Sequence, residues 1–135
     1  MLVYGLRVGG IPLWRLLVHD WSKFRPSEAR IFMKNIIYKN CTEEEWQFVR
    51  LLHTNRNKHH WEYWILKGKP IPIPETYVRE MVADWMAAGK SYSGIDSIQS
   101  WIDKKSNKLI LHPKTIHVLE QVLKEQNINW PSSEN

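Results

Sequence analysis

Hydrophobic and polar positions along most of the chain repeat every three to four residues, which predicts a succession of helices. Pro12 is suited to the first turn of one helix and Pro26 to the first turn of the next. The first of these helices has one apolar face, which ends at Asp20 and is formed by Leu13, Leu16 and Leu17. The apolar residues of the second are Ile31, Phe32, Ile36 and Ile37.

A third helix is predicted after Thr42, because Thr42 and Glu45 have the spacing of a capping box. One side of this helix carries Trp46, Val49 and His53. We expect it to end in the polar run 54–57. The following residues, 59–64, are consistent with a short helix or turn that Gly68 closes.

The proline-rich run 69–74 must be extended, since each proline disfavours helix in the residue before it. A strong helix is then predicted from Glu75 to Ala88, with Gly89 as its C-terminal stop. Its apolar face consists of Tyr77, Val78, Met81, Val82 and Trp85. Two further helices are expected at 96–105 and 113–125. The pattern therefore predicts an all-α protein: one compact bundle of about six helices over residues 1–126, with a flexible tail at 127–135.

The composition agrees with a single globular domain, since 135 residues are enough for one core and 43% of them are hydrophobic. Eight tryptophans supply large buried areas to that core. Cys41 is the single cysteine, which excludes an internal disulfide and a zinc site built on several cysteines. A reducing cytoplasm is therefore the expected location.

The formal net charge of +5 favours phosphate-bearing partners, but lysine and arginine are scattered along the chain. Nucleic acid is therefore an unlikely partner. Apolar runs are shorter than the roughly 20 residues that cross a bilayer, so no membrane partner is expected. The N-terminal residues lack the pattern of a signal peptide.

Candidate chemistry begins at His19 and Asp20, where polar residues interrupt an apolar face. A buried carboxylate is costly unless a cation or hydrogen bonds compensate it. Adjacent imidazole and carboxylate groups can bind one metal ion. The alternative is that Asp20 merely caps the end of a helix.

Three later histidines are candidates for the same site. His53 continues an apolar side and is expected to point inward, as a ligand or as a hydrogen-bonded core residue. His59 and His60 diverge in direction, so at most one of them is expected to reach the same ion as His53. The alternative for this pair is a solvated turn.

Asp84 is the second interior carboxylate, at the border of an apolar helical face. The alternative is an edge residue paired with Arg79 or Lys90. Together the candidates form a set of nitrogen and oxygen ligands suited to one or two ions of Mn, Fe, Co, Ni or Zn. This set consists of His19, Asp20, His53, His60 (or His59) and Asp84.

The segment His19-Asp20-Trp21-Ser22-Lys23 resembles the HD-x-x-K motif of HD-superfamily metal hydrolases. The resemblance implies a helical HD-like domain in which the His-Asp pair and a later aspartate, here Asp84, bind metal. Two-metal members add intervening histidines, which match His53 and then His59 or His60. Lys23 matches the position that contacts a substrate phosphate.

More closely, the chain resembles an uncharacterised HD-like family of bacteria and phages, on segments that span about residues 11–120. These segments are 12–24, 56–64 and 77–85. One departure concerns the histidine that the superfamily usually places before the His-Asp pair, because residues 1–18 contain no histidine.

The leading hypothesis is a metal-dependent phosphohydrolase that acts on a small phosphate ester or a nucleotide. Lys23 and Arg56 are the predicted catalytic and substrate-binding cations, since they would neutralise phosphate charge. Trp61 is predicted to stack on a base, and the alternative for this residue is packing in the core. Two alternatives stay open: a di-iron oxygenase of the HD type, and a non-catalytic helical interaction protein, such as a phage-encoded one, with a degraded metal site.

Overall fold

The structure, a computed structural model, describes residues 1–93 and 98–131, for residues 90–93 the backbone alone. It confirms the all-α prediction. The seven α-helices of the described residues are α1 (Leu2–Val8), α2 (Leu13–Val18), α3 (Pro26–Met33), α4 (Glu43–Arg56), α5 (Glu75–Ser93), α6 (Ile98–Lys105) and α7 (Pro113–Glu125). Short 3₁₀ turns follow at Trp21–Phe24, Trp61–Trp64 and Ser106–Lys108, and a π-helical turn at Lys34–Tyr38.

Several helix starts lie where the sequence predicts them. Pro26 occupies the first turn of α3. The capping box before α4 is formed in both directions, with 3.2 Å between Glu45 N and Thr42 Oγ1 and 3.2 Å between Thr42 N and Glu45 Oε2. The predicted start of a helix at residue 96 lies outside the described residues. Helix α1 was not predicted, because the apolar residues of so short a segment do not define a face.

The predicted end of α5 at Gly89 is wrong, since the helix continues to Ser93. Gly89 is buried and its φ lies outside the left-handed region that a glycine stop uses. Helix α5 packs against α1, α6 and α7, so its tertiary contacts outweigh the helix-breaking tendency of one glycine.

Helix α5 is the centre of the hydrophobic core. Val78 and Val82 are completely buried, as the predicted apolar face requires. The other fully or nearly fully buried core residues with which they cluster are Met81, Ala83, Ile102, Leu119, Val122 and Leu123. Helices α3 and α4 pack against each other as a second pair, with the completely buried Val49 on α4. The site described below lies where this pair, the end of α2 and α5 meet.

Two predicted apolar faces are only partly buried. Leu16 is buried, but Leu13 and Leu17 are exposed. Ile36 and Ile37 are exposed as well, because the π-helical turn at Lys34–Tyr38 shifts them off the inward face. Helical spacing gives the face of a helix but does not give the angle at which the helix meets its neighbours.

The loops agree in part with the sequence. Residues 69–74 are extended, and Lys69–Pro70 pairs antiparallel with Ile65–Leu66. Beyond residue 126 the chain still packs, because Ile128 is 6% exposed and Asn129 accepts a hydrogen bond from Gln99. Residues 132–135 of the predicted tail lie outside the described residues. None of the described helices is long and apolar enough to span a membrane.

Candidate metal centre

Four separate segments of the chain bring the predicted ligands together. His19 follows the last residue of α2, and Asp20 follows it directly. His53 lies in the last turn of α4, and His59 and His60 lie between α4 and the turn Trp61–Trp64. Asp84 lies in α5, which passes across the other three segments.

The first group of ligands consists of His19, His59 and Asp84. One ligand atom of each lies within 4.8 Å of the others. His19 Nε2 is 3.2 Å from Asp84 Oδ1. His19 and His59 are buried, and the carboxyl group of Asp84 is about one quarter exposed. This group can therefore hold one cation that remains reachable from solvent.

The second group consists of His53, His59 and His60, again with one ligand atom of each within 4.8 Å of the others. The ring centroids of His53 and His60 are 4.8 Å apart, and those of His59 and His60 are 4.3 Å apart. The expectation that at most one of the two adjacent histidines approaches the same place as His53 is wrong, because their position between α4 and the turn Trp61–Trp64 directs both rings inward. The structure brings both of them to this group and makes His59 a member of both groups.

Asp20 lies between the two groups. Its Oδ2 atom is 3.4 Å from His19 Nε2 in the first group. Its Oδ1 atom is 3.4 Å from His53 Nε2 and 3.9 Å from His59 Nε2. At the start of the turn Trp21–Phe24 the Asp20 side chain makes no capping hydrogen bond. The capping role considered for it is therefore not the role it has: one of its oxygens faces His19 and the other faces His53 and His59.

Several ligand atoms are buried without a hydrogen-bond partner among the described residues. His19 Nδ1, which faces Glu80, is one such atom of a ligand residue; the other three, which face the interior of the site, are Asp20 Oδ1, His59 Nε2 and His60 Nε2. Buried polar atoms nearly always have partners, because leaving one unpaired costs about 1–3 kcal/mol. A divalent transition metal would supply the missing partner to all three, and imidazole nitrogens with carboxylate oxygens are ligands that such metals prefer. The residues present therefore fit a metal ion.

The electrostatics of the metal-free site also favour a cation. Burial by itself lowers the pKa of His19, but hydrogen bonds to the carboxylates of Asp20, Asp84 and Glu80 raise it to about 11. Burial raises the pKa values of Asp20 and Asp84, yet hydrogen bonds with His19 bring both below their usual range. In the metal-free protein the His19 cation thus occupies the place that a metal ion could take.

His60 behaves differently from His19. Burial, followed by the charges of His59 and His53, lowers the pKa of His60 to about 3. His60 therefore stays neutral at physiological pH, with a lone pair available for a metal.

Two buried glutamates next to the site were missed by the sequence analysis. Glu28 is completely buried and Glu80 is 1% exposed. Glu80 lies four residues before Asp84, on the same face of α5, and this spacing was a usable signal. Glu28 had no comparable signal, because an acidic residue in a first helical turn is ordinarily explained by the helix dipole.

The predicted cations have different surroundings. Lys23 Nζ forms an ion pair with Asp20 Oδ2, and the Lys23 side chain is 41% exposed. Arg56 Nη1 donates to Glu28 Oε1 at 2.6 Å and to Ser27 Oγ at 3.0 Å. The sequence analysis assigned Arg56 to a substrate phosphate; the structure instead pairs its guanidinium with a buried carboxylate.

Of the two ion-pair partners that the sequence suggested for Asp84, the structure tests only Arg79. Arg79 forms ion pairs with Glu75 and Glu125, away from the site. The side chain of Lys90 lies outside the described residues. Among the contacts of the described chain, Asp84 pairs with His19.

A cleft of about 240 Å³ borders His19 and His59 and has Arg15 and Arg56 in its wall. Two further clefts open onto the ligands. One, of about 520 Å³, reaches His59, His60 and Asp84 and has Trp61 in its wall. The other, of about 210 Å³, reaches Asp20, His53, His60 and Asp84. Arg50 and Glu62 line both clefts. The Oε2 atom of Glu62 is buried without a hydrogen-bond partner in the described structure, and burial raises the pKa of this carboxyl group.

Comparisons with known proteins give a family without an assigned activity. Searches of curated proteins and of solved structures found no match to the chain. A family model described as a family of unknown function, DUF5662, matches residues 2–125. That match covers almost the whole chain, and the protein therefore belongs to the DUF5662 family.

Proposed function

We propose that this protein is a metal-dependent phosphohydrolase of the HD superfamily, acting on a small phosphate ester. The observation that carries the proposal is the pair of ligand groups that share His59 and are joined by Asp20. The order of these ligands along the chain is that of the two-metal members that the His19-Asp20 motif resembles. His59 is near both His19 and Asp84, so it can fill the place of the histidine that residues 1–18 lack.

The residues that would hold the proposed metals are His19, His59 and Asp84 in the first group and His53 and His60 in the second, and Asp20 lies close to both groups. Divalent metals so held would polarise a phosphoryl oxygen and activate the attacking water. The partial exposure of Asp20 and Asp84, beside three buried histidines, supports the proposal, because a substrate can approach the site from solvent.

The cleft of about 520 Å³ supports a phosphorylated substrate, because three cations line it beside the ligands. These are Arg50, Lys105 and Lys108. Their side chains are exposed at the cleft and can neutralise phosphate charge. Lys23 lines the cleft of about 210 Å³ next to Asp20 and can approach the same phosphate.

The same cleft is walled by aromatic rings. Trp61 lines it together with Trp85 and Trp101, whose ring centroids are 4.8 Å apart. A planar leaving group can pack on such a wall, which agrees with the stacking role predicted for Trp61. Glu62 lines the cleft beside these rings, and its Oε2 atom, which has no hydrogen-bond partner among the described residues, is the candidate proton acceptor of the proposed reaction.

The experiment is elemental analysis of protein purified without a metal-affinity tag, followed by phosphate-release assays on para-nitrophenyl phosphate and nucleoside monophosphates. We expect about one or two transition-metal ions per chain and phosphate release that chelation abolishes. Iron together with oxygen consumption and no phosphate release would identify the oxygenase alternative. Protein without metal and with unchanged stability after chelation would contradict the proposal and favour a non-catalytic interaction protein.

A further inference from the structure

Three histidines of the site present the same ring nitrogen to Asp20. The Nε2 atoms of His19, His53 and His59 lie 3.4, 3.4 and 3.9 Å from its carboxylate oxygens. Their Nδ1 atoms point the opposite way, toward the two buried glutamates. The imidazoles therefore stand between an inner carboxylate, Asp20, and an outer layer formed by Glu28 and Glu80.

Glu80 lies next to two of these histidines. Its Oε1 atom is 3.4 Å from His59 Nδ1 and 3.6 Å from His19 Nδ1. Its other oxygen, Oε2, accepts from Arg15 Nε at 3.0 Å and from Arg15 Nη2 at 2.5 Å. The guanidinium of Arg15 also lies 4.4 Å from the ring centroid of Tyr77. Oε2 of Glu80 is thus held by an arginine, whereas Oε1 faces two imidazoles, of which His19 Nδ1 makes no hydrogen bond within the described residues.

Glu28 lies next to the third histidine, His53, in a similar arrangement. Its Oε2 atom is 3.1 Å from His53 Nδ1 and accepts from Ser22 Oγ at 3.0 Å. Its Oε1 atom accepts from Arg56 Nη1 at 2.6 Å. Asn57 Nδ2 donates to Ser22 Oγ at 2.7 Å and so closes this network.

We infer that Glu80 and Glu28, each held by its arginine, are positioning residues that direct Nε2 of His19, His59 and His53 toward the metal ions. The inference rests on the proposed metal site. A carboxylate that accepts from Nδ1–H fixes one tautomer and leaves the Nε2 lone pair free for a metal. Arg15 and Arg56 compensate the burial of the two glutamates, which would otherwise be costly. Arg56 thus acts on the metal site through Glu28 rather than on the substrate.

The test uses Glu80→Gln and Glu28→Gln, which keep the side-chain size but remove the charge. Cobalt(II) titration followed by absorption spectroscopy should show metal binding weakened by about 10–100-fold in each variant. The matched control is Glu125→Gln, which removes the carboxylate of an exposed pair with Arg79 and should leave the cobalt affinity unchanged. Circular dichroism of each variant checks that it is folded.

A second readout separates positioning from general stability. In the zinc-loaded wild-type protein, nitrogen-15 NMR of the imidazoles should show Nε2 bound to metal and Nδ1 protonated for His19, His53 and His59. Glu80→Gln should shift the Nδ1 signals of His19 and His59, and Glu28→Gln that of His53. If a glutamine variant does not fold, Arg15→Lys and Arg56→Lys replace it, and the wild-type spectrum still tests the orientation.

The outcomes distinguish this inference from the proposed function. If the wild-type protein binds no metal, both are overturned. Metal binding through Nδ1, or metal affinities of both variants equal to that of the wild type, would overturn the positioning role alone. Weakened binding with the histidine-specific shifts supports it.

Discussion

Asp20 Oδ1 lies 3.4 Å from His53 Nε2, although 32 positions of the chain lie between these two residues. The contact forms because α4 packs against both α3 and the turn Trp21–Phe24, which follows Asp20. Through Asp20 the two ligand groups become one centre, and this arrangement determines how each ligand variant should behave.

Asp84→Asn should lower the metal content from about two ions per chain to about one. Asp84 belongs to the group with His19 and His59, whereas the group with His53 and His60 keeps all its ligands. Elemental analysis of the purified variant measures this. The control is His117→Ala, since His117 is exposed and contacts Gln121 away from the site. Full metal content in Asp84→Asn would remove this residue from the ligand set.

Asp20→Asn should reduce the metal content further than Asp84→Asn does, because Asp20 contacts histidines of both groups. An amide oxygen is neutral and cannot offset the charges of two cations. Elemental analysis and cobalt titration of the two variants, side by side, compare them. Equal metal contents would show that Asp20 does not bridge.

Metal affinity should increase with pH, by up to about tenfold per pH unit between about pH 6 and 8. The pKa of His19 is raised to about 11, so His19 is protonated in the metal-free protein throughout this range and must release its proton when metal binds. Asp20 and Asp84 are already ionised there, and the pKa of His60 is lowered to about 3, so these groups exchange no further protons. Zinc titration calorimetry in buffers of different ionisation enthalpy counts the protons. An affinity independent of pH would exclude His19 as a ligand.

Arg50→Gln should raise KM for a phosphate ester about tenfold or more and leave the metal content unchanged. Arg50 lines the clefts of about 520 and 210 Å³ but makes no hydrogen bond or ion pair with the proposed ligands in the part of the chain that the structure describes. A hydrogen bond to a charged group such as a phosphate contributes about 1.5–3 kcal/mol. Arg56→Gln should instead weaken metal binding. Steady-state kinetics on metal-saturated protein, with elemental analysis, distinguishes the two effects. If Arg56→Gln changed KM alone, Arg56 would be a substrate-binding residue after all.

Two glycine-to-alanine variants should have opposite effects on stability. A Cβ at Gly5 of α1 would overlap the buried side chain of Leu16, which lies on α2. Gly5→Ala should therefore lower the free energy of unfolding by about 1–3 kcal/mol. A Cβ at Gly89 would meet no atom of the described residues within 4 Å, so Gly89→Ala should raise the free energy of unfolding by about 0.4–1 kcal/mol. Urea unfolding measures both. A stabilising Gly5→Ala would mean that Leu16 repacks without cost.

Local features of the fold could be predicted from the sequence, because they depend on residues close together along the chain. The capping box at Thr42 and Glu45, the start of α3 at Pro26 and the buried face of α5 are of this kind. The end of α5 could not, because Gly89 stops a helix only where no packing partner holds the next turn in place.

The sequence by itself determined the residue types of the site: adjacent His19 and Asp20, later histidines, and Asp84 on the border of an apolar face. Tertiary structure decided their arrangement. It placed His59 in both groups, paired Arg56 with Glu28, and set Glu80 behind two imidazoles. The physical reason is that periodicity reports which face of a helix is buried, whereas the atom that a buried polar group meets depends on how separate helices pack.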